Sequence, residues 1–184
     1  MKNFMAWMAT AATLNFAAPV VAGQNDPRLN DLFAALKAAA SEKEAAPIEA
    51  RIWAIWTESG IEDIDRLMAL GIAAMGIRDF RTAESVFTAI VRQAPDFAEG
   101  WNKRATLYYM MGKMEKSAAD VDRVLSLEPR HFGALSGLGL IRLAEENERE
   151  ALKAFERGLA IHPNMAGATT YIRKLKLKLL GRGI

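Results

Sequence analysis

A fixed step of 34 residues runs through the middle of this 184-residue chain and constrains its fold more than any other feature. Pro95, Pro129 and Pro163 are one step apart, and so are Gly71, Ala105 and Gly139. Ala83, Ser117 and Ala151 keep the step, as do Phe87, Val121 and Phe155. A constant period of this length marks an array of small supersecondary units, each buried only by stacking on its neighbours.

The central unit, Ala98–His131, shows what one period encodes. Trp101, Ala105 and Tyr108 stand at i, i+4 and i+7 and form one stripe of a helix. Gly112 supplies a turn after the helix end. A second helix is predicted from Met114, with Ser117, Ala118, Val121 and Leu125 inward. Pro129 ends it by disfavouring helical geometry at the residue before it. Ala105 and Ser117 are small where two helices must cross closely. Gly71 with Ala83, and Gly139 with Ala151, repeat that arrangement in the flanking units. On the same reading Leu70 lies on the core stripe of its helix.

These residues resemble the tetratricopeptide repeat family. Trp101, Ala105, Tyr108, Gly112, Ser117, Leu127 and Pro129 fall at that family's marked positions. The copies Ile64–Phe97 and Phe132–Met165 match at the small pairs, at Phe87 and Phe155, and at the prolines. Leu67 and Leu135 replace the tryptophan, Ala74 and Arg142 replace the tyrosine, and Arg104 stands where a leucine is usual. The resemblance implies an all-α solenoid of helical hairpins with three repeats: 64–97, 98–131 and 132–165. It also implies a protein-interaction scaffold rather than an enzyme.

The ends read differently. Residues 1–22 carry Lys2, an apolar run and the small residues Val20-Val21-Ala22, the pattern of a cleaved export signal. The expected location is the periplasm or outside the cell; the alternative is an inner-membrane anchor left uncleaved. Residues 23–63 read as a helical hairpin, a possible degenerate repeat. Asn25-Asp26-Pro27 starts its first helix, Ser41 with Glu44 forms a capping box for the second, and Ile48, Ile52, Trp53, Ile55 and Trp56 give it a bulky core face. This hairpin is expected to cover the open end of the first repeat. Residues 166–184 read as a capping helix whose Ala168, Ile172, Leu175 and Leu179 share one face. Its five positive charges, with no acid among them, leave the remainder of a +2 chain net acidic. That basic face is either solvated or meets an acidic partner or anionic lipid.

The chemistry of a catalyst is not visible. The chain has no cysteine, which excludes disulfides and thiolate metal sites. His131 and His162 are the only histidines, and they are expected on the surface of inter-repeat turns with no metal-ligand company. Ser136-Gly137-Leu138-Gly139 lacks the strand a phosphate loop needs. Glu145, Glu146, Glu148 and Glu150 sit where they favour a helix N-terminus. No enzyme, metal, cofactor or nucleic-acid partner is expected.

Binding is expected in the concave groove that the first helices of the repeats line. The face beside each core stripe holds Met68, Ile72 and Met75; Asn102, Thr106 and Tyr109; and Ser136, Leu140 and Leu143. In the resembled family these positions line the groove. That family's clamp for acidic peptide carboxylates is not carried over: Lys103 and Asn102 are present, but Met68 and Ile72 occupy places that need polar groups. The face is apolar enough to mark a contact. The expected occupant is a protein or peptide segment; the alternative is a structural or self-oligomerising module whose groove is filled by its own hairpin or a second subunit.

Overall fold

A computed structural model describes residues 22–181, all of them helix, turn or link, with no strand among them. A 3-10 turn, Gly23–Asn25, precedes α1 (Arg28–Ala38) and α2 (Glu42–Thr57). Three helix pairs follow: α3 (Glu62–Gly76) with α4 (Phe80–Gln93), α5 (Ala98–Met110) with α6 (Met114–Leu127), and α7 (Phe132–Ala144) with α8 (Glu148–Ile161). The last helix is α9, Ala166–Leu180. The predicted export signal lies almost wholly outside the described residues.

Local chemistry explains where the helices begin and end. Ser41 Oγ accepts the Glu44 amide at 3.3 Å, and the Glu44 carboxylate reaches back to the Ala40 amide at 3.0 Å, closing the start of α2. Asp79 and Asn147 cap α4 and α8 by accepting the Thr82 and Glu150 amides on their side chains. The turn between the helices of each repeat needs one left-handed residue: Arg78 at φ 61°, Gly112 at φ 73° and Glu146 at φ 57°, one period apart.

The close crossings set the hairpin geometry. A Cβ on Gly71 would lie 2.5 Å from Phe87 Cε1, and one on Gly139 would lie 2.6 Å from Phe155 Cε1. In the central repeat the pair becomes Ala105 and Val121, both buried, and Ser117 Oγ donates to the Ala105 carbonyl at 2.8 Å. Arg104, at a usual leucine position, is satisfied by two hydrogen bonds to Asp120 of 2.7 and 2.8 Å. The final helix α9 buries Ala168, Ile172, Leu175 and Leu179 against the last repeat, and Tyr171 stacks on Phe155 with centroids 4.9 Å apart.

The N-terminal hairpin departs from expectation. It does not cover the first repeat; α2 and the 3-10 turn pack on α5, and α1 packs on α8. The reason is the docking surface available there: Leu29, Leu32, Phe33, Leu36, Ile52, Ile55 and Trp56 form one buried cluster with Phe132, flanked by Ile161 and Met165. The end of the first repeat is left open, with Ile61 and Leu70 each 51% exposed and Ile77 80% exposed. Leu70 is therefore not a core residue. Its equivalent one step on is Arg104 and two steps on is Leu138, which packs against the repeat before it; at Leu70 no such preceding repeat exists.

Candidate partner-binding groove

The first helices α5 and α7 stand side by side and present Asn102, Thr106, Tyr109, Ser136 and Leu140 to one cleft of about 360 Å³. Gly133, Gly137 and Met165 also line it, and Trp53 and Glu49 of α2 form its wall. The other four predicted positions lie elsewhere. Met68 is buried in the first-repeat core with Ile64, Phe97 and Leu107, and Met75 packs against the same cluster. Leu143 packs toward α9, and Ile72 is exposed but outside the cleft. Two of the three groove positions of α3, Met68 and Met75, are thus drawn into packing with the second repeat, while those of α5 and most of α7 remain around open space.

The wall is fastened by residues expected on the surface. His131 and His162 are 0% and 1% exposed, because the hairpin lies over the corners that carry them. His131 Nδ1 accepts the Ala134 amide at 3.1 Å, so Nε2 carries the hydrogen and donates to Glu99 at 3.0 Å. Glu99 Oε2 also accepts from the Asn102 side-chain amide at 2.9 Å, and Lys103 Nζ forms an ion pair with Oε1 at 2.9 Å. Burial alone would push the Glu99 carboxyl up; the hydrogen bond from His131, joined by the Lys103 ammonium, outweighs it and holds the group below its ordinary range. The His131 ring stacks on Trp56 at 4.0 Å, with Trp53 edge-on at 5.5 Å. Glu49 bridges Trp53 Nε1 at 3.1 Å and His162 Nε2 at 3.2 Å. Arg130 reaches Asn30 at 3.0 Å, and Asn164 donates to the Ala39 carbonyl at 2.7 Å.

Glu49 and Trp53 escaped the sequence reading as groove residues, and Glu99 as the buried carboxylate behind them. Glu99 meets His131 across 32 positions and Glu49 meets His162 across 113, and neither contact follows the period. The one local sign was Trp53 and Trp56 at i, i+3, which was read as core; Trp56 is core, and Trp53 faces both core and cleft. Among the described residues no His, Cys, Asp or Glu group has metal-binding geometry, and no helix is long and apolar enough to cross a membrane.

Known proteins give this architecture a lineage. The family model for the tetratricopeptide repeat matches residues 68–125 and 103–166. A TPR repeat-containing protein of Rhizobium etli is 37% identical over 175 residues, covering 94% of this chain and 86% of its own. The Sgt2 TPR domain from Aspergillus fumigatus superposes with a TM-score of 0.62 at 26% identity, over 67% of this chain and 84% of that one. The first TPR of Spaghetti (RPAP3), solved bound to an HSP90 peptide, shares the fold with a TM-score of 0.62 at 24% identity, over 65% of this chain and 94% of its own. The repeats, their crossings and these relatives agree that the chain belongs to the tetratricopeptide repeat family.

Proposed function

We propose that this protein is a non-catalytic interaction scaffold of the bacterial envelope that holds a short segment of a partner protein in the cleft between α5 and α7. The observation that carries the reading is the cleft itself: Trp53, Tyr109 and Leu140 supply apolar surface, and Asn102, Thr106 and Ser136 supply polar contacts. Its volume of about 360 Å³ accommodates a few side chains rather than a whole helix. Because α2 already occupies the neighbouring part of the groove, the partner segment lies beside Trp53 and touches both the hairpin and the repeats. The peptide-bound RPAP3 domain shows that this fold accepts a peptide. The envelope setting rests on the composition of residues 1–22 and on the bacterial relative.

The experiment is capture from envelope extract, comparing the natural protein with Thr106→Arg. Thr106 is exposed and lines the cleft, so an arginine there blocks the cleft without disturbing the core. Partner capture is expected to fall at least tenfold with an unchanged melting temperature. Leu107→Ser is the stability control, because Leu107 is 0% exposed. Equal capture by Thr106→Arg and the natural protein would remove the cleft as the binding site. Export is tested by fractionation and by the mass of the mature N-terminus, expected near Gly23; a full-length chain in the cytosol would overturn the location.

A further inference from the structure

We infer that the cleft selects its partner segment by a basic side chain, an arginine or lysine with apolar neighbours, which seats against the Glu49 carboxylate; this rests on the cleft between α5 and α7 being the partner site.

Two charged residues line the cleft, Glu49 of α2 and Lys103 of α5, and they are not equivalent. Lys103 Nζ lies 2.9 Å from Glu99 Oε1, and Glu99 is 1% exposed with its carboxyl held in the ionised form. The charge of the lysine is therefore balanced inside the protein before any partner arrives. Its ammonium stands 5.5 Å from the Trp53 ring, but a carboxylate entering the cleft would have to draw it from Glu99. That exchange would leave a buried carboxylate without its cation, which is strongly unfavourable.

Glu49 has no such counterpart. Trp53 Nε1 donates to its Oε1 at 3.1 Å, and His162 Nε2 lies 3.2 Å from its Oε2. His162 Nδ1 is buried with no hydrogen-bond partner among the described residues. A second ring hydrogen there would find no acceptor, so the ring donates from Nε2 as a neutral imidazole. Among the described residues no lysine or arginine forms an ion pair with Glu49. The α2 wall thus brings one uncompensated negative charge to the cleft. Each carboxylate oxygen holds one donor and keeps a further lone pair, and the side chain is still 36% exposed. Two oxygens fixed in this way are the paired acceptors that a guanidinium fork meets.

The other lining groups suit the stem of such a side chain. Trp53 and Tyr109 supply aromatic rings, whose faces attract a cation, and Leu140 supplies apolar surface for methylenes and for the flanking residues. A purely apolar segment would cover Glu49 and remove its water without replacing it. An acidic segment would meet Glu49 as a like charge. Charge complementarity leaves the basic segment as the occupant.

The test selects random heptapeptides displayed on phage against the natural chain and against Gly137→Leu. Gly137 lines the cleft and a Cβ there would meet nothing within 4 Å, so leucine fills the cleft without adding charge or striking the core. Peptides retained by the natural chain and lost with Gly137→Leu are expected to be enriched in arginine or lysine beside apolar residues. Replacing the basic residue of one such peptide by glutamine should weaken its binding at least about tenfold, and replacing it by glutamate should weaken it further. On Glu49→Gln, which keeps an acceptor for Trp53 Nε1 and removes the charge, the glutamine replacement should change the affinity little. Cleft-dependent peptides without basic enrichment, or an equal loss on Glu49→Gln, would overturn the inference and leave the cleft as the partner site. Peptides held equally by Gly137→Leu, or none held by the natural chain, would remove the cleft itself and the inference with it. Should Glu49→Gln lower the melting temperature, the peptide series on the natural chain decides alone: equal binding of the basic, glutamine and glutamate versions contradicts the contact.

Discussion

Phe87 and Phe155 press their rings into the space left by Gly71 and Gly139, whereas Val121 occupies the same place where the helix carries Ala105. The larger ring goes with the missing Cβ and the smaller side chain with its presence, so each crossing keeps its volume. Gly139→Ala should cost about 1–3 kcal/mol by overpacking. Adding Phe155→Val should recover part of that loss, because it rebuilds the central repeat's pair. A double-mutant cycle by denaturant unfolding checks this, and additive losses would show that the two positions are not in conflict. The turns carry a second residue-scale test. Arg78 and Glu146 adopt the left-handed conformation that Gly112 adopts at no steric cost. Glu146→Gly should stabilise the protein by roughly 0.5–1 kcal/mol, the relief of a left-handed side chain less the entropy of a glycine. Gly112→Ala should destabilise it by about 1 kcal/mol, and thermal melts of the two variants should therefore move in opposite directions.

At the scale of elements, the hairpin α1–α2 is where local signals and final packing part company. Its helices were legible, down to the Ser41 cap that accepts the Glu44 amide. Its destination was not, because nothing in residues 23–63 shows whether a bulky face meets the first repeat or the second. The contact of Trp53 with Gly133 joins residues 80 positions apart and occurs once, so no repeat averages it into a pattern. Gly133→Ala is the substitution that tests the docking. The added Cβ would meet the Trp53 ring at 2.5 Å, and one of the two must move. Amide exchange in α1 and α2 should accelerate at least tenfold, while α5 and α6 keep their protection. Uniform loss of protection throughout would mean that the hairpin and repeats unfold as one unit.

The whole molecule combines a periodic scaffold with a non-periodic clamp, and its pH response belongs to the clamp. Glu99 is buried with its carboxyl held below the ordinary value by His131 and Lys103. A carboxylate depressed by folding contributes stability that is complete above the unfolded-state value near 4.5. That contribution disappears as pH falls through the lower folded-state value. Acid should therefore loosen the α5–α7 corner on which the hairpin rests, and Glu99→Gln should flatten the stability profile below about pH 4.5. The measurement is denaturant stability against pH for both proteins; parallel profiles would assign the acid sensitivity to other groups.

The periodic part was determined by the sequence alone. Helix pairs and small-residue crossings depend on contacts within one repeat or between adjacent ones, and three copies in register state each of them three times; the left-handed turn is announced by a glycine only at Gly112. The capping face of α9 was readable for the same reason, since it continues the stripe it covers. Only the tertiary structure decided that His131 and His162 are interior, that Leu70 is exposed, and that Met68 and Met75 leave the groove for the core. All of these follow from where one hairpin docks and from how the first repeat packs on the second. That docking is chosen by single, long-range complementarities between aromatic rings, a glycine notch and side-chain hydrogen bonds, which leave no period in the chain to be read.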